Sequence, residues 1–259
     1  MRKFVLASLA SMAVATPALA DDGSWTGAYG GISAGYSSAS SRSEASLGGQ
    51  WTLMPAAQAA QVTSNLSTKQ TTHNGAIGAH IGYNYQTGDV VLGAELEATT
   101  LGGSAVRSSG LVTYSATQNY TFTNSVDPKN LVALKARLGV AMGGTLAYVA
   151  AGWAWVDSYQ SAGITGTDLN GLGLLANGSY RKLGENQKTR NGVIVGVGLE
   201  QRLSSRFSIR AQYDYTDQGT ITYATAYLPN SLNTVPAYTE TMNQNLRVHL
   251  VRAGVSYHF

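Results

Sequence analysis

The chain has 259 residues, with 17 basic and 14 acidic side chains, 30 glycines, no cysteine and only 12% charged residues. Without cysteine there is no disulfide framework, no thiolate nucleophile and no thiolate metal site. A nearly balanced charge gives no electrostatic footprint for nucleic acid, and the low charged fraction leaves too few ionic groups to cover an ordinary water-facing surface.

Residues 1–20 (MRKFVLASLASMAVATPALA) combine a basic start at Arg2 and Lys3, an apolar core from Phe4 to Val14, and an Ala18-Leu19-Ala20 cleavage signature. That order predicts a cleaved secretory leader, too short for a membrane helix, with residues 21–259 as one exported domain. Without Arg2 and Lys3, 15 basic residues stand against 14 acidic ones. No later stretch offers eighteen consecutive apolar residues, so any crossing of a bilayer falls to strands.

Alternation of apolar with polar or small residues then recurs along the chain, the period of a strand with two different faces. Trp25 to Tyr36 is a glycine-rich strand. Asn74 to Tyr85 sets Ile77, Ala79, Ile81, Tyr83 and Tyr85 against Gly78, His80, Gly82 and Asn84. Val90 to Ala98 sets valine, leucine and alanine against Gly93, Glu95 and Glu97. Leu131 to Ala141 sets Val132, Leu134, Ala136, Leu138 and Val140 against Lys135, Arg137 and Gly139. Leu146 to Val156 is small or apolar on both faces and leaves two orientations open; the favoured one sends Val149, Ala151, Trp153 and Trp155 to lipid. Val193 to Leu199 alternates into Glu200. Phe207 to Thr216 opposes Phe207, Ile209, Ala211, Tyr213 and Tyr215 to Ser208, Arg210, Gln212, Asp214 and Thr216. Leu246 to Phe259 closes the series as the eighth strand.

The connections alternate in length. Gln86–Asp89, Met142–Thr145 and Leu203–Arg206 are short turns. Ser37–His73, Thr99–Asn130, Asp157–Asn191 and Asp217–Asn245 are long and polar, and Met54 to Val62 suits a short helix within the first. Short turns on one side and long loops on the other fit a bacterial outer-membrane barrel; the soluble alternative is a lipocalin-like barrel with the apolar face inside. A glycine-rich, lysine-poor polar face and aromatics repeated near strand ends favour the membrane form. The expected fold is therefore all-β: an eight-stranded antiparallel up-and-down transmembrane β-barrel with short periplasmic turns and long extracellular loops.

Trp25-Thr-Gly-Ala-Tyr-Gly-Gly, the stretch from Gly196 to Gly219, and the ending VRAGVSYHF resemble the small outer-membrane β-barrel proteins of alphaproteobacteria, the Omp25/Omp31-like surface antigens of the "porin family". The resemblance covers every expected strand but not the loops. It implies periplasmic termini and a location in the cell outer membrane, among lipid and lipopolysaccharide. It also implies a terminal aromatic signal, here Phe259 with Tyr257, read by the barrel-assembly machinery. The family offers no agreed catalytic residues. Some members bind haemin or host surfaces through loops, and no loop motif here matches theirs.

Chemistry-bearing motifs are sparse. His73, His80, His249 and His258 lack metal-ligand spacing, no G-x-S-x-G is present, and Gly196 and Gly198 lie within a strand rather than in a phosphate loop. No catalytic, metal or cofactor site is expected. The most informative set is Glu95, Glu97, Glu200 and Asp214 with Lys135, Arg137, Arg210 and Arg252, all on inward positions and balanced in sign. An eight-stranded barrel has room only for side chains, so mutual pairing in a plugged interior is favoured over a charged channel lining. The hairpin register expected around Ser205 sets Glu200 opposite Arg210, as a direct ion pair with Gly198 leaving room for the arginine. The functional expectation is a non-enzymatic barrel that supports envelope integrity and displays surface loops. A small-solute pore and loop-mediated haemin or host binding are the alternatives.

Overall fold

A computed structural model describes residues 24–115, 118–168, 180–231, 234 and 237–259. The expected leader, residues 1–20, lies outside them. In chain order the elements are β1 (Gly27–Gly49), a 3₁₀ turn (Gln50–Leu53), α1 (Ala56–Leu66), β2 (Lys69–Thr87), β3 (Val90–Thr100), β4 (Ala105–Ser115), β5 (Gln118–Met142), β6 (Thr145–Asp168), β7 (Tyr180–Arg202), β8 (Phe207–Ala224), β9 (Ala226–Tyr227) and β10 (Tyr238–His258).

Eight of the strands form a closed antiparallel ring. The order β3-β2-β1-β10-β8-β7-β6-β5 returns on itself because β3 also pairs β5, from Val90↔Val140 to Thr100↔Asn130. The amino-terminal and carboxy-terminal strands seal it, with Tyr29↔His258 and Gly49↔Tyr238 near the two ends of their ladder. Closure leaves no edge to lipid, which a spanning sheet requires. The short turns fall as expected: Gly88 and Gly143 take positive φ (59° and 61°), which a side chain adopts only with strain.

The long connections differ from the expectation. Among the described residues they are largely strand, not loop. β1, β5, β6 and β7 run 23 to 25 residues. At about 3.3 Å per residue and a tilt near 45°, that is a rise of roughly 50–60 Å, about twice the apolar band of a membrane barrel. The exposed large apolar side chains concentrate in the half nearest the short turns, among them Ile32, Ile81, Leu134, Val149, Val197, Ile209 and Val255. Trp153 and Trp155 are exposed there too, so the favoured orientation of β6 is the observed one. The upper half of the barrel wall exposes few large apolar side chains, and α1 packs there against β1, β4 and β5.

β-bulges explain why the alternation stops where the strands do not. β5 shifts register between Pro128 and Asn130; its inward residues are Phe122, Asn124 and Val126 above the shift, and Leu131, Ala133 and Lys135 below it. β8 and β10 shift register near Asn245, and the inward parity of β8 changes from Gln218 to Tyr223. An extra residue in one strand reverses the phase of everything beyond it.

The interior is layered. β5 shows the sequence from the top: Phe122, then Val126, Leu131 and Ala133, then Lys135 and Arg137, then Ala141. Leu131, Val156, Ile194, Leu246, Val248 and Leu250 belong to an apolar layer directly above the charges. Trp25, Val91, Leu146 and Tyr148 pack together at the short-turn end. At the mouth, Trp51, Val62, Leu66, Tyr120, Phe122, Tyr180 and Met242 form another cluster.

Candidate functional site

All eight charged residues expected to face inward meet in one layer of the lumen, each at most 4% exposed. Strict alternation puts them there. Glu95 and Glu97 share the inner face of β3, Lys135 and Arg137 that of β5, and Arg210 and Asp214 that of β8.

Glu95 is the hub. It receives Arg210 at 2.6 Å, Lys135 at 3.1 Å and Arg137 at 3.4 Å, together with the Tyr29 hydroxyl at 2.9 Å. Lys135 Nζ also meets Glu97 at 2.7 Å and Asp214 at 3.6 Å. Arg252 bridges Glu97 and Asp214 and donates to Thr99 at 2.7 Å. Arg137 carries the chain to Glu200 at 2.9 Å, whose other oxygen accepts from Ser208 at 2.6 Å and lies 3.5 Å from His258 Nε2. Four carboxylates thus neutralise four cations where an uncompensated charge would cost several kcal/mol.

The hairpin register is the expected one: Glu200 lies opposite Arg210, and Gly198 opposite Gln212. The ion pair is not. Arg210 reaches across to Glu95, and Glu200 pairs with Arg137 two strands away. Side chains projecting into a narrow barrel converge on its axis, so the nearest countercharge lies across the lumen rather than beside it. Gly198 also serves a different neighbour. A Cβ there would collide with the Tyr148 ring, and one at Gly82 with Tyr29. The two tyrosines lie over these glycines and flank Arg137, whose guanidinium carbon is 3.8 Å from the Tyr148 centroid and 5.2 Å from that of Tyr29.

Several members were missed in the sequence. Tyr29, Tyr148, Ser208, Gln212 and His258 are all buried in this layer, and Gln212 ties Arg210, Tyr148 and Asp214 together at 2.6–3.0 Å. Ser208, Gln212 and His258 alternate with lipid-facing residues and so carry inward parity in the sequence, whereas alternation leaves the faces of the strands of Tyr29 and Tyr148 open; none of the five carries the permanent charge that marks the other eight. Lys182 and Glu240, paired and buried at the mouth, lie in segments whose polar composition predicts loops. Burial holds the Tyr120 hydroxyl at the mouth above its ordinary value.

Phe259 is exposed at the short-turn end. Its N–H donates to Ala28 at 3.0 Å, and its ring meets Tyr257 edge-on at 5.0 Å, with Phe207 next in the row. His80 faces inward, 2.9 Å from Ser256 Oγ, and His73 lies outside against Tyr36. Among the described residues no group of histidines and carboxylates has metal-holding geometry.

The family described as outer membrane protein beta-barrel domain matches residues 5–259. The 31 kDa outer-membrane immunogenic proteins of Brucella melitensis biotype 1 and Brucella suis biovar 1 are each 26% identical over 280 aligned positions, covering all of both chains. Among solved structures, Ail of Yersinia pestis is 14% identical with a TM-score of 0.34, covering 90% of this chain and 99% of that one. The Neisserial surface protein A is 13% identical with the same TM-score and coverage. OmpT, an outer-membrane protease of Escherichia coli, is 9% identical with a TM-score of 0.39, covering 90% and 97%.

Proposed function

The chain belongs to the outer-membrane protein β-barrel family, and from that premise we propose that it is a non-enzymatic, non-conducting barrel that supports envelope integrity and displays a large extracellular surface. It resides in the cell outer membrane and is homologous to outer-membrane immunogenic proteins.

The observation that carries the reading is the filled lumen. The charge layer has its cations and carboxylates bonded to one another, and above it Leu131, Val156, Ile194 and Leu250 are fully buried in one apolar cluster. An ion crossing here would have to break several buried pairs and then enter an apolar section, whereas aqueous pores are built from about sixteen strands. On this reading the outer face meets lipid and lipopolysaccharide, and the row of Tyr257 and Phe259 is what the barrel-assembly machinery engages. Recording from refolded protein in planar bilayers tests it. The expected result is no unitary conductance step; a reproducible, voltage-stable channel would replace the proposal with a small-solute pore.

A further inference from the structure

The extracellular mouth holds a cavity of about 250 Å³ lined by Trp51, Met54, Tyr114, Tyr120, Tyr180 and Tyr238, with Gln118 beside them. Trp51, Tyr120 and Tyr180 are buried walls; Met54, Tyr114 and Tyr238 are half-buried. Neighbouring rings meet edge-on, at 78° for Trp51 and Tyr114, 87° for Tyr114 and Tyr120, 82° for Tyr120 and Tyr180, and 65° for Trp51 and Tyr238. Among the described residues, none that lines the cavity is ionic.

Two further observations give the cavity a chemical preference. The Trp51 indole N–H donates to Glu240 Oε1 at 2.6 Å, and a charged acceptor polarises the donor ring toward greater electron density. The same cluster already holds one ammonium: Lys182 Nζ sits 4.6 Å from the Tyr227 centroid, and Tyr227 packs edge-on against Tyr180 at 5.8 Å. Lys182 is neutralised by Glu240, so the floor presents no net positive charge to a visitor.

From this geometry we propose that the mouth cavity is an aromatic cage for a quaternary ammonium group, such as the head of choline. Faces of electron-rich rings attract a cation that carries no hydrogen-bond donors, which is the recognised use of such cages. The volume lies below the usual range for a drug-sized ligand and suits a headgroup. The inference goes beyond the structural role proposed above and does not depend on whether the barrel conducts.

Calorimetric titration of the whole barrel in a maltoside detergent tests it, since phosphocholine detergents carry the probe themselves. The probes are choline, its uncharged isostere 3,3-dimethylbutan-1-ol, and glucose. Choline should bind saturably, and the alcohol about tenfold more weakly or worse, because it keeps the shape and loses the cation–π attraction. Tyr114→Leu and Tyr120→Leu should weaken choline binding by about tenfold each, with folding checked by heat-modifiable gel migration. Vesicles of phosphatidylcholine against phosphatidylglycerol separate the sources: choline binding with capture of the former indicates a membrane headgroup, choline binding without it a free solute. Equal binding of choline and the alcohol, preference for glucose, or no binding of choline to the wild-type barrel overturns the proposal.

Discussion

Glu200 and Arg210 stand opposite one another in the β7–β8 ladder, yet each gives its charge to a different strand, Glu200 to Arg137 and Arg210 to Glu95. Backbone register and electrostatic pairing are thus separate facts in this barrel. Double-mutant cycles distinguish them. Arg210 with Glu95, and Glu200 with Arg137, should show coupling of about 0.5–3 kcal/mol, as contacting pairs do. Glu200 with Arg210 should couple more weakly than either, through the shared network alone. Urea midpoints of Gln and Met variants provide the measurement, and stronger coupling for Glu200 with Arg210 would contradict the observed pairing.

Glu95 holds three cations, so its loss should exceed that of any other lumen carboxylate. Glu95→Gln is expected to destabilise by about 3–5 kcal/mol, the cost of leaving buried charge uncompensated. Glu200→Gln leaves only Arg137 short, and that residue keeps Glu95 and its two tyrosine faces. Equilibrium unfolding of the two variants in detergent should rank Glu95 clearly above Glu200.

Height in the membrane is testable on one strand. Ile209, exposed on β8 within the apolar band, should cost roughly 2–4 kcal/mol as Ile209→Arg if it lies near the midplane. Thr222, exposed on the same strand above the band, should accept arginine within about 0.5 kcal/mol, the usual range for a surface change. Unfolding in lipid vesicles gives both values. Gln212 is not a neutral control, because it is buried and bonded to Arg210, Tyr148 and Asp214.

Gly198 lies beneath the Tyr148 ring. Gly198→Val should therefore destabilise by about 1–3 kcal/mol through overpacking. Adding Tyr148→Ala should make the valine less costly than it is in the wild-type background. If the valine costs the same with and without the tyrosine, the ring does not occupy the place assigned to it.

Phe259 is mostly solvent-exposed; its N–H donates to Ala28 and its ring meets Tyr257. Its truncation should matter little to the finished barrel. Phe259→Ala should refold in detergent with a midpoint close to wild type while its outer-membrane yield in cells falls. Unchanged cellular yield would count against the terminal aromatic as an assembly signal.

The sequence by itself determined the ring of eight strands, the three short turns, and, for six of the eight strands, which residues of the membrane band face lipid and which face inward; the glycine-rich first strand and Leu146 to Val156 take their orientation from the closed ring. Those features rest on a period of two that each strand carries locally, from Ile77 to Tyr85 or from Phe207 to Tyr215, and on turn glycines such as Gly88 and Gly143. The upper wall was hidden because its outer face meets water and reads as serine, threonine and asparagine, and because the shifts at Pro128/Asn130 and near Asn245 reverse the phase there. The partners of each lumen charge were hidden for a different reason. Closing the sheet brings β3, β5, β8 and β10 around one axis, so Arg210 meets Glu95 from 115 positions away. Only the closed, tilted ring fixes which carboxylate is nearest, since every inward side chain then competes for the same small volume.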